Sequence, residues 1–105
     1  VVDARSKERF EGKVPEPRGG LKSGSIKNSV CIPFGSCLNQ DRTFRNKQEL
    51  EKIFQSSLKN LNDKNIVFSC GSGVTACVLA LAYSLINDKY RPCIYDGSWA
   101  EYGLI

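Results

Sequence analysis

An α/β domain, with a parallel sheet flanked by helices on both faces, is the fold predicted for this 105-residue chain. Three observations predict it. Short β-branched or apolar runs recur at Val1-Val2, Ser29 to Ile32, Ile66 to Phe68 and Pro92 to Tyr95. Segments of helical periodicity separate them. The run at 66–68 leads into Cys70-Gly71-Ser72-Gly73, which opens onto a long helical pattern. Strand, small-residue loop, helix is the order that gathers backbone N–H groups around an anion at the carboxyl end of a parallel strand.

The elements follow in chain order. Val1-Val2 runs into Asp3-Ala4-Arg5, where the two opposite charges can pair and pin a turn. The chain opens inside this strand, so a preceding segment is expected. Ser6 to Phe10 fits a short helical turn. Glu11 to Gly20 holds Pro15, Pro17 and three glycines and reads as loop, long enough to suggest a functional role. Ser23 to Phe34 reads as a turn into a short strand that Pro33 stops. Asn46 is placed to cap a helix, with Glu49 where a capping box wants it. Leu50, Ile53, Phe54, Leu58 and Leu61 then form one apolar helix face. Asn60 to Asn65 turns into the strand at 66–68.

The next helix is expected from Val74 to Ile86. It is apolar nearly all round, which predicts burial on every side and exclusion of water from its first turn. Asn87 to Arg91 returns the chain to the last strand. Asp96-Gly97-Ser98-Trp99 closes it, with Asp96 or Ser98 as helix cap and Trp99 packed near the loop end of the sheet as a structural corner.

Cys70 is the candidate nucleophile. A free thiol ionises near pH 8.5, and donors at a helix start bring this down to about 3.5–7.5. Gly71 and Gly73 let the loop bend tightly, while Ser72 and Thr75 add hydroxyls. A phosphate clamp of the C-x5-R type needs arginine where Ala76 stands, so phosphoryl transfer is disfavoured.

Composition narrows the classes. The hydrophobic fraction of 41% and charged fraction of 25% are those of an ordinary globular domain. A net charge of +4, carried by scattered basic residues, suits a small anionic ligand better than nucleic acid. No apolar stretch is long enough to span a membrane. The chain has no histidine, which excludes a Cys–His or Ser–His–Asp device built within it. Five cysteines without a C-x-x-C pair argue against a disulfide framework or metal site and for a reducing compartment. Cys31, Cys77 and Cys93 read as core thiols and Cys37 as an exposed loop thiol.

Cys70-Gly71-Ser72-Gly73-Val74-Thr75-Ala76 resembles the active-site loop of the rhodanese family of sulfurtransferases, in its mercaptopyruvate-using branch. Arg9-Phe10-Glu11-Gly12 followed by Pro15-Glu16-Pro17-Arg18 is similar to the segment before that family's catalytic loop. Ser23 to Phe34 resembles its G-H-I-x-G-A-x-x-I-P motif, with Ser25 where histidine is common and Asn28 where glycine is common. Tyr95 to Trp99 is similar to its Y-D-G-S-W.

The resemblance covers nearly the whole chain and implies a rhodanese-like catalytic domain over residues 1–105, the C-terminal half of a two-domain protein. It implies a Cys70 persulfide, with donor atoms held by Arg9 and Arg18. Loop residues Gly71, Ser72, Gly73, Val74 and Thr75 would cradle the sulfur, and Ser72 would orient the donor or relay a proton. Guanidinium forks suit a small carboxylate. The implied partners are a small anionic sulfur donor, an acceptor such as cyanide, a small thiol or a thioredoxin-like protein, and a preceding rhodanese-like domain. No cofactor and no metal are implied. The expected location is cytoplasmic, with mitochondria as the alternative.

Two other functions remain open at this level. A thiosulfate-preferring enzyme would want basic residues where Gly71 and Ser72 stand. A non-enzymatic persulfide carrier would need Cys70 but neither arginine.

Overall fold

The computed structural model describes residues 1–58, 66–87 and 93–104. Three short parallel strands lie at its centre: β1 (Val2–Asp3), β2 (Val30–Cys31) and β3 (Phe68–Ser69), in the order β2-β1-β3. Val2 stands opposite both Val30 and Phe68, and Asp3 opposite Cys31 and Ser69. Ile94 adds a parallel bridge on the far side of β3. The predicted fourth strand is thus represented by Ile94, while its first residue, Pro92, lies outside the described residues. All strands point the same way, so Arg5 and Cys70 emerge together at the carboxyl edge.

Alternation of side chains across the sheet divides the interior in two. Val2 and Phe68 face α2 (Lys47–Ser57) and α3 (Ala76–Ile86). Phe54, Phe68 and Tyr83 form an aromatic cluster there, with ring centroids 5.1–6.4 Å apart. Asp3 and Ser69 face the other way, toward α4 (Ser98–Tyr102). The parallel sheet flanked by helices is therefore the α/β fold that the sequence predicts.

Local rules explain the elements and their departures. Ser6 caps α1 (Lys7–Phe10) by accepting from the Arg9 N–H. Asn46 caps α2 through Oδ1, which accepts from the Glu49 N–H at 2.9 Å. The reciprocal half of the capping box is replaced: the Glu49 carboxylate accepts from Arg45 Nη1 at 3.2 Å. Leu50 and Phe54 are buried on the predicted face of α2, with Ile53 and Leu58 beside them. Leu61 lies outside the described residues, as do most of the turns expected at 60–65 and 87–91. Asn28, where the resembled motif commonly has glycine, has φ 62°, a left-handed conformation that asparagine tolerates.

Two expectations about burial fail. The helix begins at Ala76, and only one side of it is buried, through Ala76, Leu79, Ala80, Ala82 and Tyr83. Val74 is 72% exposed, Leu81 53% and Leu85 51%. A helix packs against a sheet along one face, and α2 covers a flank; an apolar composition all round does not create a second covering layer. The cysteines are sorted by the same geometry. Cys77 falls on the outward side of α3 and Cys93 is also exposed, whereas Cys31 is half-buried. Cys37, expected in the open, sits fully buried in a 3-10 turn (Phe34–Cys37) packed under α3. No helix among the described residues is long and apolar enough to cross a membrane.

Candidate active site

Cys70 follows β3 directly and is only 1% exposed. Its backbone is clamped from the opposite layer. The Cys70 N–H donates to Ser98 Oγ at 3.1 Å, the Trp99 N–H donates to the Cys70 carbonyl at 2.9 Å, and the Ala100 N–H donates to the Gly71 carbonyl at 2.9 Å. Ser98 Oγ in turn donates to the Tyr95 carbonyl at 2.8 Å. This explains why neither Asp96 nor Ser98 caps α4, contrary to expectation: Gly97 occupies the cap position without a side-chain bond, and the Ser98 hydroxyl is occupied with Cys70. Trp99 is buried as predicted, its indole donating to the Lys22 carbonyl at 2.8 Å.

The loop then folds back over the sulfur. The Gly73 N–H donates to Cys70 Sγ at 2.9 Å. Gly73 has φ 94°, and a Cβ there would lie 2.9 Å from the Asp96 carbonyl oxygen, so glycine is required on both counts. Burial pushes the Cys70 thiol up. The Thr75 hydroxyl and the N–H groups of Ala76, Ser72 and Gly73 outweigh it, so the ionisation falls below the ordinary thiol value. Thr75 occupies the N-cap position of α3 but makes no side-chain cap bond; its hydroxyl serves the sulfur. The first turn is not dry, because Ser72 and Val74 are exposed. The thiolate is favoured by direct donors rather than by a buried helix.

The second wall of the site comes from the loop after β1. Asp3 and Arg5 pair as predicted, with Arg5 Nη2 2.8 Å from Asp3 Oδ2 and Arg5 Nε bonded to both carboxylate oxygens. The Arg5 guanidinium lies over Trp99, 4.6 Å from a ring centroid, and donates to the Gly24 carbonyl at 2.6 Å. Arg9, Arg18, Cys70, Gly71, Ser72, Val74 and Thr75 line one cleft of about 240 Å³, together with Glu16, Pro17 and Leu21. Gly73 does not line it and sits behind the sulfur as a donor. Arg9 reaches the loop closely: a Cβ on Gly71 would fall 2.8 Å from its Nη2.

A model of the family described as "Rhodanese-like domain" matches residues 1–104. The chain belongs to the rhodanese-like domain family. It is 48% identical over 101 residues to thiosulfate/3-mercaptopyruvate sulfurtransferase 1, mitochondrial, of Arabidopsis thaliana, covering 96% of this chain and 26% of that protein. It is 44% identical over 102 residues to 3-mercaptopyruvate sulfurtransferase of Homo sapiens, covering 97% of this chain and 34% of that protein. Among solved structures it resembles Tum1 protein from Saccharomyces cerevisiae with a TM-score of 0.84 and 33% identity, over 96% of this chain and 35% of that one. The chain spans between about a quarter and a third of the length of these relatives.

Two residues of this rhodanese-like site have contacts that the sequence does not predict. Glu16 stands in the Pro15-Glu16-Pro17-Arg18 motif, where the sequence assigns it no role, although a carboxylate set among arginines is a visible signal for pairing. Ser98 was read as a helix cap, and nothing local in the sequence shows that its hydroxyl faces Cys70, 28 residues earlier.

Proposed function

We propose that this domain is the catalytic part, and the C-terminal half, of a longer sulfurtransferase that takes sulfur from mercaptopyruvate through a Cys70 persulfide. One observation carries the reading: a cysteine thiol favoured as its anion faces two arginines across one small cleft. The Cys70 thiolate attacks the thiol sulfur of the donor. A sulfur–sulfur bond forms, the carbon–sulfur bond breaks, and its electron pair leaves as the enolate of pyruvate, which takes up a proton. Arg9 and Arg18 hold the donor's carboxylate and carbonyl. Ser72, at the exposed rim, orients the donor or relays the proton. The loop N–H groups of residues 71–75 hold the persulfide anion. An acceptor thiolate or cyanide then attacks the outer sulfur, and Cys70 leaves as the thiolate.

Thiosulfate is the second donor reading, supported by relatives named for it, including a thiosulfate sulfurtransferase of Rattus norvegicus at 41% identity. There the sulfur–sulfur bond of the donor breaks and sulfite leaves. The relatives' greater length supports a further domain beside this cleft. The "mitochondrial" in one relative's name favours the mitochondrial location over the cytoplasmic one. Incubation of the full-length protein with each donor, followed by intact mass, tests the proposal. One added sulfur, absent in Cys70→Ser, is the expected result, and the donor loading at lower concentration is the preferred one. No added sulfur in folded protein with either donor overturns the reading. Loss of donor turnover on substitution of Arg9 and Arg18 by alanine, with protein-to-protein sulfur transfer retained, points instead to a persulfide carrier.

A further inference from the structure

Glu16 is the one inward-facing side chain in an exposed stretch. Val14, Pro15, Pro17 and Arg18 are open to solvent, while the Glu16 carboxylate is 1% exposed. A carboxylate is withdrawn from water at a cost, offset only by strong partners. Its partners are two arginines. Oε1 accepts from Arg9 Nη2 at 2.7 Å, and Oε2 accepts from Arg9 Nε at 3.3 Å and from Arg5 Nη1 at 3.2 Å. Arg5 is itself fixed by Asp3, Gly24 and Trp99. Arg9 is different: it projects from a four-residue helix with no buried residue and its side chain is 28% exposed. Glu16 therefore ties a mobile class of side chain to a rigid corner.

Two consequences follow from this geometry. The bonds to Glu16 engage the Nε–Nη2 edge of Arg9 and leave Nη1 without a bond to Glu16, while Nη2 is the atom nearest the catalytic loop at Gly71. The pairs Asp3–Arg5 and Glu16–Arg9 also cancel in formal charge. Arg9 thus contributes directed N–H groups rather than net charge. Arg18 makes no ion pair among the described residues and supplies the net positive charge.

We propose that Glu16 is the positioning residue for donor binding, acting through Arg9 and not on the nucleophile. The inference rests on the reading of Arg9 as a donor-binding group. Steady-state kinetics of the full-length protein with mercaptopyruvate test it in a cycle of Glu16→Gln, Arg9→Ala and the double variant. Glu16→Gln is expected to raise KM about tenfold and leave kcat within about threefold, as loss of a charge-assisted contact to the ground state would. In the Arg9→Ala background the same substitution is expected to change nothing further. Glu16→Asp, which keeps the charge on a shorter arm, is expected to fall between wild type and Glu16→Gln.

Additive effects in the double variant, or an unchanged or lowered KM in Glu16→Gln, overturn the proposal while leaving the role of Arg9 intact. An unchanged KM in Arg9→Ala removes the donor-binding reading and this inference with it. If Arg9→Ala folds by circular dichroism but neither Glu16 variant does, Glu16 serves Arg5 and the fold, and the proposal is overturned.

Discussion

Cys37 and Cys70 are hidden from solvent to the same degree, 0% and 1% exposed, yet their thiols are driven in opposite directions. Burial pushes Cys37 up to about 11, and the charge of Arg45 offsets it only in part. Burial pushes Cys70 the same way, but Thr75 and the N–H groups of Ala76, Ser72 and Gly73 reverse the outcome. The 3-10 turn around Cys37 leaves its sulfur among apolar side chains. The loop after β3 turns its backbone donors inward. The direction of the shift is therefore decided by the donors of the next few residues, the Thr75 hydroxyl first and the backbone N–H groups after it, and not by depth.

The contrast predicts its largest effect in labelling. At pH 7 only about one Cys37 thiol in ten thousand is ionised, given a value near 11. Iodoacetamide followed by peptide mass mapping is expected to modify Cys70 long before Cys37, and equal rates would break the comparison. Next in size is Gly73→Ala. The left-handed φ and the Asp96 carbonyl both oppose a Cβ, so a loss of roughly 1–3 kcal/mol is expected in urea unfolding, together with slower labelling of Cys70.

Thr75→Val is milder. It removes one hydroxyl donor while keeping the shape, so the pH midpoint for Cys70 alkylation is expected to move upward with little change in melting temperature. A further effect is on stability against pH. Cys70 ionises more readily when folded, so its contribution is complete above the unfolded thiol value of 9.0 and fades as pH falls through the lower folded value. Cys37 has the opposite sign: its contribution is complete below 9.0 and is lost as pH rises toward about 11. Melting curves of Cys37→Ala should decline less than wild type between pH 9 and 11.

The sequence made the cradle legible because its signals are local. A β-branched run, a cysteine, two glycines and a helical pattern lie within a dozen residues, and each has one dominant physical reading. The Asp3–Arg5 pair and the Asn46 cap were legible for the same reason. What escaped depends on contacts between distant segments. Whether Leu81 and Leu85 are covered depends on which neighbours exist, not on their own hydrophobicity. Cys77 stands in an apolar stretch and Cys37 in a polar one, yet the outward facing of α3 exposes the first and the packing of the 3-10 turn buries the second. Ser98 and Glu16 carry polar groups whose partners are chosen by the sheet's carboxyl edge, where β1, β3 and α4 converge.

The clasp between Cys70 and the residues around Trp99 also bears on how the domain is made. The hydroxyl that receives the Cys70 N–H is encoded 28 residues downstream of it. At about 5–20 residues per second, a ribosome takes seconds to cover that interval. Throughout it the newborn thiol has its own loop but no clasp. The clasp on the Cys70 and Gly71 backbone can be complete only once the stretch through Ala100 has been delivered.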